Sequence, residues 1–217
     1  DYEGKDIEGD HIQFHNIYPP NCSPHREAPY QFKSRAIQYA RNLGYEQVAW
    51  MDSSIVICKD PNPYFKVAED IGVVLFDNPG CVEATYTADV CLEEIGCSFA
   101  EAKIFFQIDA AIMIFDFTTK KGNLVFDDYY KACTPTALKG LGGSTRPEYK
   151  DHRHDQSIMS FIARIRHYVN PINYGAWSYF YQVIENTCKP TFAKTGLEQI
   201  GKNDLVVFLK SYFGDSN

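Results

Sequence analysis

The stretch Trp50-Met51-Asp52-Ser53-Ser54-Ile55-Val56-Ile57 is the starting point for the fold. An apolar run ends in a carboxylate and two hydroxyls, and the chain then turns apolar again. Such a run predicts a buried strand that carries Asp52 at its tip. Open α/β sheets bind their ligands where strands end, so this tip is a candidate binding position. The alternative is that Asp52 only caps the turn that follows.

Helices and strands alternate outward from this stretch. Hydrophobic periodicity predicts strands at 12–15, 48–51, 72–76 and 110–115, and helices at 30–43, 64–70, 88–95, 98–105, 119–133 and 154–167. The alternation predicts an α/β sandwich. The pattern weakens after Tyr168, which favours one domain over residues 1–171 and a C-terminal extension, residues 172–217, packed on it. The Gly/Pro/Thr-rich segment 134–150 is expected to be a loop over the site.

Composition narrows the class of protein. The chain has 217 residues, of which 45% are hydrophobic and 23% charged, as expected for a globular domain. A net charge of −7 disfavours nucleic acid as a partner. No apolar run approaches membrane-spanning length, so no membrane span is expected. The seven cysteines show neither C-x-x-C nor zinc spacing, which favours reduced thiols and a cytoplasmic location.

A second motif, His152-Arg153-His154-Asp155-Gln156-Ser157, opens the helix predicted at 154–167. Asp155 lies three residues before Ile158 and therefore shares the inward, apolar face of that helix. This position suits a ligand-facing carboxylate, and it also suits a helix cap. His152 and His154 are candidate ligands for a metal ion or a phosphate oxygen.

Two basic residues complete the candidates from the sequence alone. Lys33 shares a face with Ile37 and Ala40 near the start of a helix, where the helix dipole disfavours a cation. An anion is therefore expected beside it, although a lysine that snorkels to solvent also fits. Arg146 lies in the glycine-rich segment and is placed to meet a phosphate.

Three segments together resemble a known family. Pro29-Tyr30-Gln31-Phe32-Lys33, Trp50-Met51-Asp52-Ser53-Ser54 and His152-Arg153-His154-Asp155-Gln156-Ser157, in this order, are similar to GT-A type glycosyltransferase-like proteins of bacteria and phages. The resemblance covers residues 19–171. It implies a Rossmann-like nucleotide-diphospho-sugar transferase sandwich and a hexosyltransferase-like activity. Such an enzyme moves a sugar from a nucleoside diphosphate sugar, UDP-type foremost, to a glycan or another hydroxyl acceptor.

The resemblance also assigns roles to residues of this chain. Asp52 is expected beside the diphosphate, Lys33 beside the nucleotide, and Asp155 with Gln156 beside the transferred sugar. The segment 107–111 takes the place that lines the donor-sugar and acceptor pocket, and Asp155 or Asp109 is the expected catalytic base. The expected donor-binding set is Lys33, Asp52, Ser53, Ser54, Ala110, Arg146 and Gln156.

The sequence departs from the family pattern in two places. The usual Asp-x-Asp is Asp52-Ser53-Ser54 here, so a Mn²⁺ or Mg²⁺ ion at Asp52, Ser54 and His154 has lost one carboxylate ligand. The first strand, which binds the base, is not found before Asp10; either this βα unit is truncated or Ile12–His15 replaces it. Two alternatives stay open, namely a non-catalytic sugar-nucleotide or glycan binding module and a phage-type nucleic-acid base glycosyltransferase.

Overall fold

The structure, a computed structural model, describes residues 19–52, 55–57, 61–172 and 180–182. The strand predicted at 12–15 and the residues Ser53 and Ser54 lie outside the described residues. The α-helices are α1 Gln31–Asn42, α2 Asn62–Ile71, α3 Asp89–Ile95, α4 Phe99–Ala102, α5 Lys120–Ala132, α6 Pro135–Lys139 and α7 His154–Phe161. The strands are β1 Gln47–Met51, β2 Ile55–Ile57, β3 Val73–Val82, β4 Phe106–Asp116 and β5 Phe180–Gln182.

Among the described residues, the main sheet has three strands with β4 in the middle. β4 pairs antiparallel with β1 and with β3, so that Met113 lies between Trp50 and Leu75. β2 and β5 form a separate antiparallel pair. Ile172 pairs in parallel with Phe76, which places the first residue of the predicted C-terminal extension against β3. The mixed α/β class predicted from the sequence is confirmed, and the Rossmann-like arrangement stays a prediction.

Both faces of β4 are covered, which explains its almost continuous apolar sequence. Successive residues of a strand point to opposite faces. Met113 and Phe115 therefore pack into the larger core, with residues of α1, α3, α5, α6 and α7. Ile112 and Ile114 pack into a smaller core with Tyr64 of α2 and its neighbours. The central strand is thus held from both sides, and the pocket described below opens beside it.

Several segments differ from the sequence prediction. The helix predicted at 98–105 covers only Phe99–Ala102, and the strand predicted at 110–115 begins at Phe106. β3 does not end at Phe76, as predicted, but continues to Val82 through an irregular register that contains Pro79, a residue without a backbone N–H to donate. The segment 134–150 begins with helix α6, whose cap Thr134 accepts a hydrogen bond from the amide of Ala137 at 3.1 Å. The helix predicted over 154–167 is α-helical only to Phe161 and continues as one π-helical turn, Ile162–Arg166.

None of the helices within the described ranges is long and apolar enough to cross a membrane. The five described cysteines are free thiols: Cys22, Cys81, Cys91, Cys97 and Cys133. The cytoplasmic location stays a prediction.

Candidate functional site

A polar cavity of about 510 Å³ lies where β1 ends, beside β4 and at the first turn of α7. Its size is in the range of small-molecule sites. Residues from segments far apart in the sequence meet in it. The lining residues are Tyr30, Lys33, Asp52, Asn78, Asp109, Ala110, Ala111, Asp151, His152, Arg153, His154, Asp155 and Gln156.

Lys33 is the centre of the cavity wall and is only 3% exposed. Its Nζ lies 2.8 Å from Oδ1 of Asp52 and 3.2 Å from Oδ2 of Asp155, and it donates to the carbonyl oxygen of Ala110 at 3.1 Å. Burial by itself would lower the pKa of Lys33, but the two carboxylates outweigh it and raise that pKa. The anion expected near Lys33 is therefore supplied by the protein itself. We call Lys33, Asp52 and Asp155 the charged cluster.

Asp155 lies in the first turn of α7, buried at 3% exposure. Its contact is the ion pair with Lys33, and α7 has no side-chain hydrogen bond at its N-cap residue Arg153. Burial raises the pKa of Asp155, and the ammonium of Lys33 opposes that shift. A capping role does not explain this carboxylate, because it forms an ion pair with the buried ammonium of Lys33 at the cavity wall.

Two further carboxylates differ in how they are held. Asp52 Oδ1 also accepts a hydrogen bond from Trp50 Nε1 at 2.8 Å. Asp109, on β4, uses Oδ1 to accept from the amide of Ala111 at 2.8 Å, and burial raises its pKa. Asp109 has no ion pair within the described residues, so it is better placed to take up a proton than Asp52 or Asp155, which both pair with Lys33.

The two histidines of the motif are held in opposite ways. The ring of His152 accepts from the amide of Ala88 at Nδ1, 3.3 Å away, so Nε2 carries the hydrogen and donates to the carbonyl oxygen of Ala137 at 2.9 Å. Burial lowers the pKa of His152 to about 4, which keeps the ring neutral. The ring packs against Gly140, where a Cβ would lie 2.2 Å from it. His152 is therefore a neutral wall residue.

His154 instead leaves one ring nitrogen available. Its Nδ1 lies 2.6 Å from the carbonyl oxygen of Leu138, so Nδ1 carries the hydrogen, and Nε2 has no hydrogen-bond partner within the described residues. A backbone carbonyl orients many metal-binding histidines in this way. His154 and Tyr30 both have positive φ, 48° and 61°, and their ring centroids are 5.3 Å apart. Strained backbone of this kind is common at ligand sites.

The described residues do not form a ligand set for the expected divalent cation. No group of three or more His, Cys, Asp or Glu side chains in the described ranges is placed to hold a metal ion. Oδ1 of Asp52 is already occupied by Lys33 and Trp50, and Ser54 lies outside the described residues. Mn²⁺ or Mg²⁺ binding therefore stays a prediction.

The structure separates the two arginines near the site. Arg146 lies outside the cavity lining, with Nε 2.9 Å from Oδ1 of Asp89 and Nη2 donating to the carbonyl oxygen of Thr87 at 2.5 Å. Arg153 lines the cavity and has no ion pair within the described residues. Sequence reasoning assigned a phosphate contact to Arg146 and no role to Arg153. The sequence signal for Arg153 was its position inside the polar motif 152–157. In the structure, every residue from Asp151 to Gln156 lines the cavity.

No protein-family model matches the chain, and neither a curated protein nor a solved structure is detectably similar to it. The chemistry of the cavity is therefore what bears on function.

Proposed function

We propose that the protein is a glycosyltransferase that moves a sugar from a nucleoside diphosphate sugar, with UDP as its first candidate nucleotide, to a hydroxyl acceptor. A Rossmann-like GT-A arrangement of the chain is part of this proposal. The observation that carries it is the meeting of Lys33, Asp52 and Asp155, one from each segment of the resemblance, in a single polar cavity.

The side chains suit a polyhydroxylated ligand and a reaction that develops charge. Carboxylates around the cavity can accept hydrogen bonds from sugar hydroxyls, and the side-chain amides of Asn78 and Gln156 add further hydrogen-bonding atoms. Asp109 is the proposed base that takes the proton of the acceptor hydroxyl, and Asp155 stabilises positive charge that develops on the sugar. Asp52 and Asp155 already compensate the charge of Lys33, so Arg153 is the cation proposed to meet the departing diphosphate.

The direct test is nucleotide release. The protein is incubated with a panel of nucleoside diphosphate sugars and hydroxyl acceptors, with and without Mn²⁺, and the released nucleotide is measured. Release that requires both protein and donor supports the proposal. No release with any donor, together with no donor binding by calorimetry, sinks it.

Asp155→Asn separates a catalytic from a purely structural carboxylate. If Asp155 acts on the sugar, turnover falls by roughly two or more orders of magnitude. The matched control is Asp127→Asn, which removes a partly exposed partner of Arg41 away from the cavity and should leave turnover unchanged. A less stable Asp155→Asn protein with full turnover would reduce Asp155 to a partner of Lys33.

Two observations favour a second candidate, a sugar-nucleotide or glycan binding module without turnover. The ammonium of Lys33 is already paired with Asp52 and Asp155. The described residues also lack a group of side chains placed to bind a metal ion. Under this alternative, calorimetry shows donor or glycan binding while nucleotide release stays at the level of the protein-free control.

A further inference from the structure

Behind the cavity wall lies a buried set of uncharged hydrogen-bonding groups. Gln107 of β4 is fully buried and donates through Nε2 to Oγ of Ser157 at 3.0 Å and to Oγ1 of Thr87 at 3.4 Å. Gln156, which lines the cavity, donates through Nε2 to Oε1 of Gln107 at 2.7 Å. Together with Glu83, which contacts Thr87, we call these residues the neutral network.

The direction of each bond follows from the two hydroxyls. Ser157 donates its single hydrogen to the carbonyl oxygen of Tyr86 at 2.9 Å. Thr87 donates its own to Oε1 of Glu83 at 2.7 Å. A backbone carbonyl can only accept, so the one hydrogen of the Ser157 hydroxyl belongs to the Tyr86 bond, and Oγ of Ser157 can only accept from Gln107. The amide nitrogen of Gln107 must therefore face Ser157, and its oxygen must face Gln156.

This orientation is passed on to the cavity. Because Oε1 of Gln107 can only accept, Gln156 must turn its nitrogen inward, and its own Oε1 is the atom left without a partner in the described residues. Rotating either amide would set acceptor against acceptor in a buried place, which proteins rarely tolerate.

We infer that Gln156 presents a fixed hydrogen-bond acceptor to the ligand, that Gln107 is the positioning residue that fixes it, and that the ligand must donate a hydrogen bond beside the first turn of α7. Under the proposed function, on which this part rests, the donating group is a hydroxyl of the sugar. A sugar with fluorine or hydrogen in place of that hydroxyl is discriminated against.

The orientation is tested without any ligand. In NMR spectra, the side-chain NH₂ protons of Gln107 should show nuclear Overhauser effects to the side-chain protons of Thr87 and Ser157. The variant Gln107→Met identifies these signals by their loss. Effects from the Gln107 NH₂ protons to the Gln156 side chain alone would show the opposite amide orientation and overturn the inference.

The selectivity is tested on the nucleotide sugar that the protein binds, by comparing it with its monodeoxy and deoxyfluoro analogues. For wild type, one hydroxyl position should cost about tenfold in affinity when it is replaced. Gln156→Leu should abolish that ratio, and Gln107→Met should reduce it. In the Gln156→Leu background, Gln107→Met should have no further effect on the ratio, because the two residues act as one unit.

Ser160→Ala is the matched control. The Ser160 hydroxyl joins the same helix to β4 by accepting from the amide of Ile108 at 2.9 Å, without contacting either glutamine side chain. Ser160→Ala should lower the melting temperature and leave the affinity ratio between the sugar and its analogue unchanged. A Gln107→Met protein that also loses only stability overturns the positioning role. If no nucleotide sugar binds, the proposed function fails, while the NMR result still decides the orientation of Gln156.

Discussion

The charged cluster and the neutral network meet on neighbouring residues of α7, yet they bury polar atoms in opposite ways. In the charged cluster, one ammonium lies between two carboxylates, so each of the three groups has an oppositely charged partner. In the neutral network, the carboxyl group of Glu83 is fully buried and has no ion pair within the described residues. Burial raises the pKa of Glu83 to about 8, so this group is mostly uncharged at neutral pH.

The two regions differ in whether their buried polar groups carry charge. A buried charge is costly unless a partner is close, whereas a buried amide or hydroxyl needs only a hydrogen bond. Charges are kept at the wall that a ligand touches, and uncharged groups fill the layer behind it. The neutral network fixes the orientation of the side chains at the cavity wall, and the charged cluster supplies the charges that face the ligand.

The largest expected effect comes from removing the single cation of the charged cluster. Lys33→Met leaves Asp52 and Asp155 facing each other without compensation, and breaking a buried pair in this way costs about 3–5 kcal/mol. Urea denaturation at pH 7 measures the loss. Part of it should be recovered as the pH falls and the two carboxylates become protonated.

Two variants frame this result. Arg41→Met breaks a partly exposed pair with Asp127 and should cost less than about 1 kcal/mol from the lost ion pair. Adding Asp52→Asn and Asp155→Asn to Lys33→Met should restore much of the stability. A Lys33→Met protein as stable as wild type at pH 7 would show that the cluster does not hold three charges.

The sequence predicted the wall of the site better than the layer behind it. Helical periodicity and a strand end placed Lys33, Asp52 and Asp155 on inward faces, because those patterns are local. The contact between Gln107 and Gln156 joins residues far apart in the chain and has no periodic signature. The contacts of Arg146 with Asp89 and Thr87 also join separate parts of the chain, and no local pattern predicts them.

A smaller effect is expected at the neutral part of the wall. Gly140 has φ 58°, and a Cβ there would lie 2.2 Å from the His152 ring. Gly140→Ala should therefore lower the unfolding free energy by about 2–4 kcal/mol, from backbone strain and overpacking together. Gly142→Ala is the control, because φ is 84° there but nothing lies within 4 Å of the added Cβ. Equal losses in both variants would mean that the His152 ring moves aside at no cost.

The smallest expected effect depends on the charge of Glu83 and appears only as a slope with pH. The carboxyl titrates near 4.5 in the unfolded chain and at about 8 in the fold, so its stabilising protonation is complete below pH 4.5 and is lost as pH rises through 8. His152 has the opposite sign, because its pKa falls from 6.5 to about 4, and its contribution is lost as pH falls. From pH 6.5 to 8, the contribution of Glu83 declines while that of His152 is nearly complete.

Glu83→Gln should remove that decline. Across this interval of pH, Glu83 accounts for a loss of up to about 2 kcal/mol in wild type, at about 1.4 kcal/mol for each pH unit. The glutamine retains an oxygen to accept the Thr87 hydroxyl, so the neutral network should persist. Urea denaturation at pH 6.5 and pH 8 measures the slope in each variant. The control is Glu101→Gln, because the hydrogen bonds of Ser98 lower the pKa of Glu101, and its titration lies below the interval. The same slope in wild type and Glu83→Gln would mean that Glu83 is already charged in the fold, with the guanidinium of Arg146 as its compensating group. Both regions would then bury charged groups, and they would differ only in the partners of those groups.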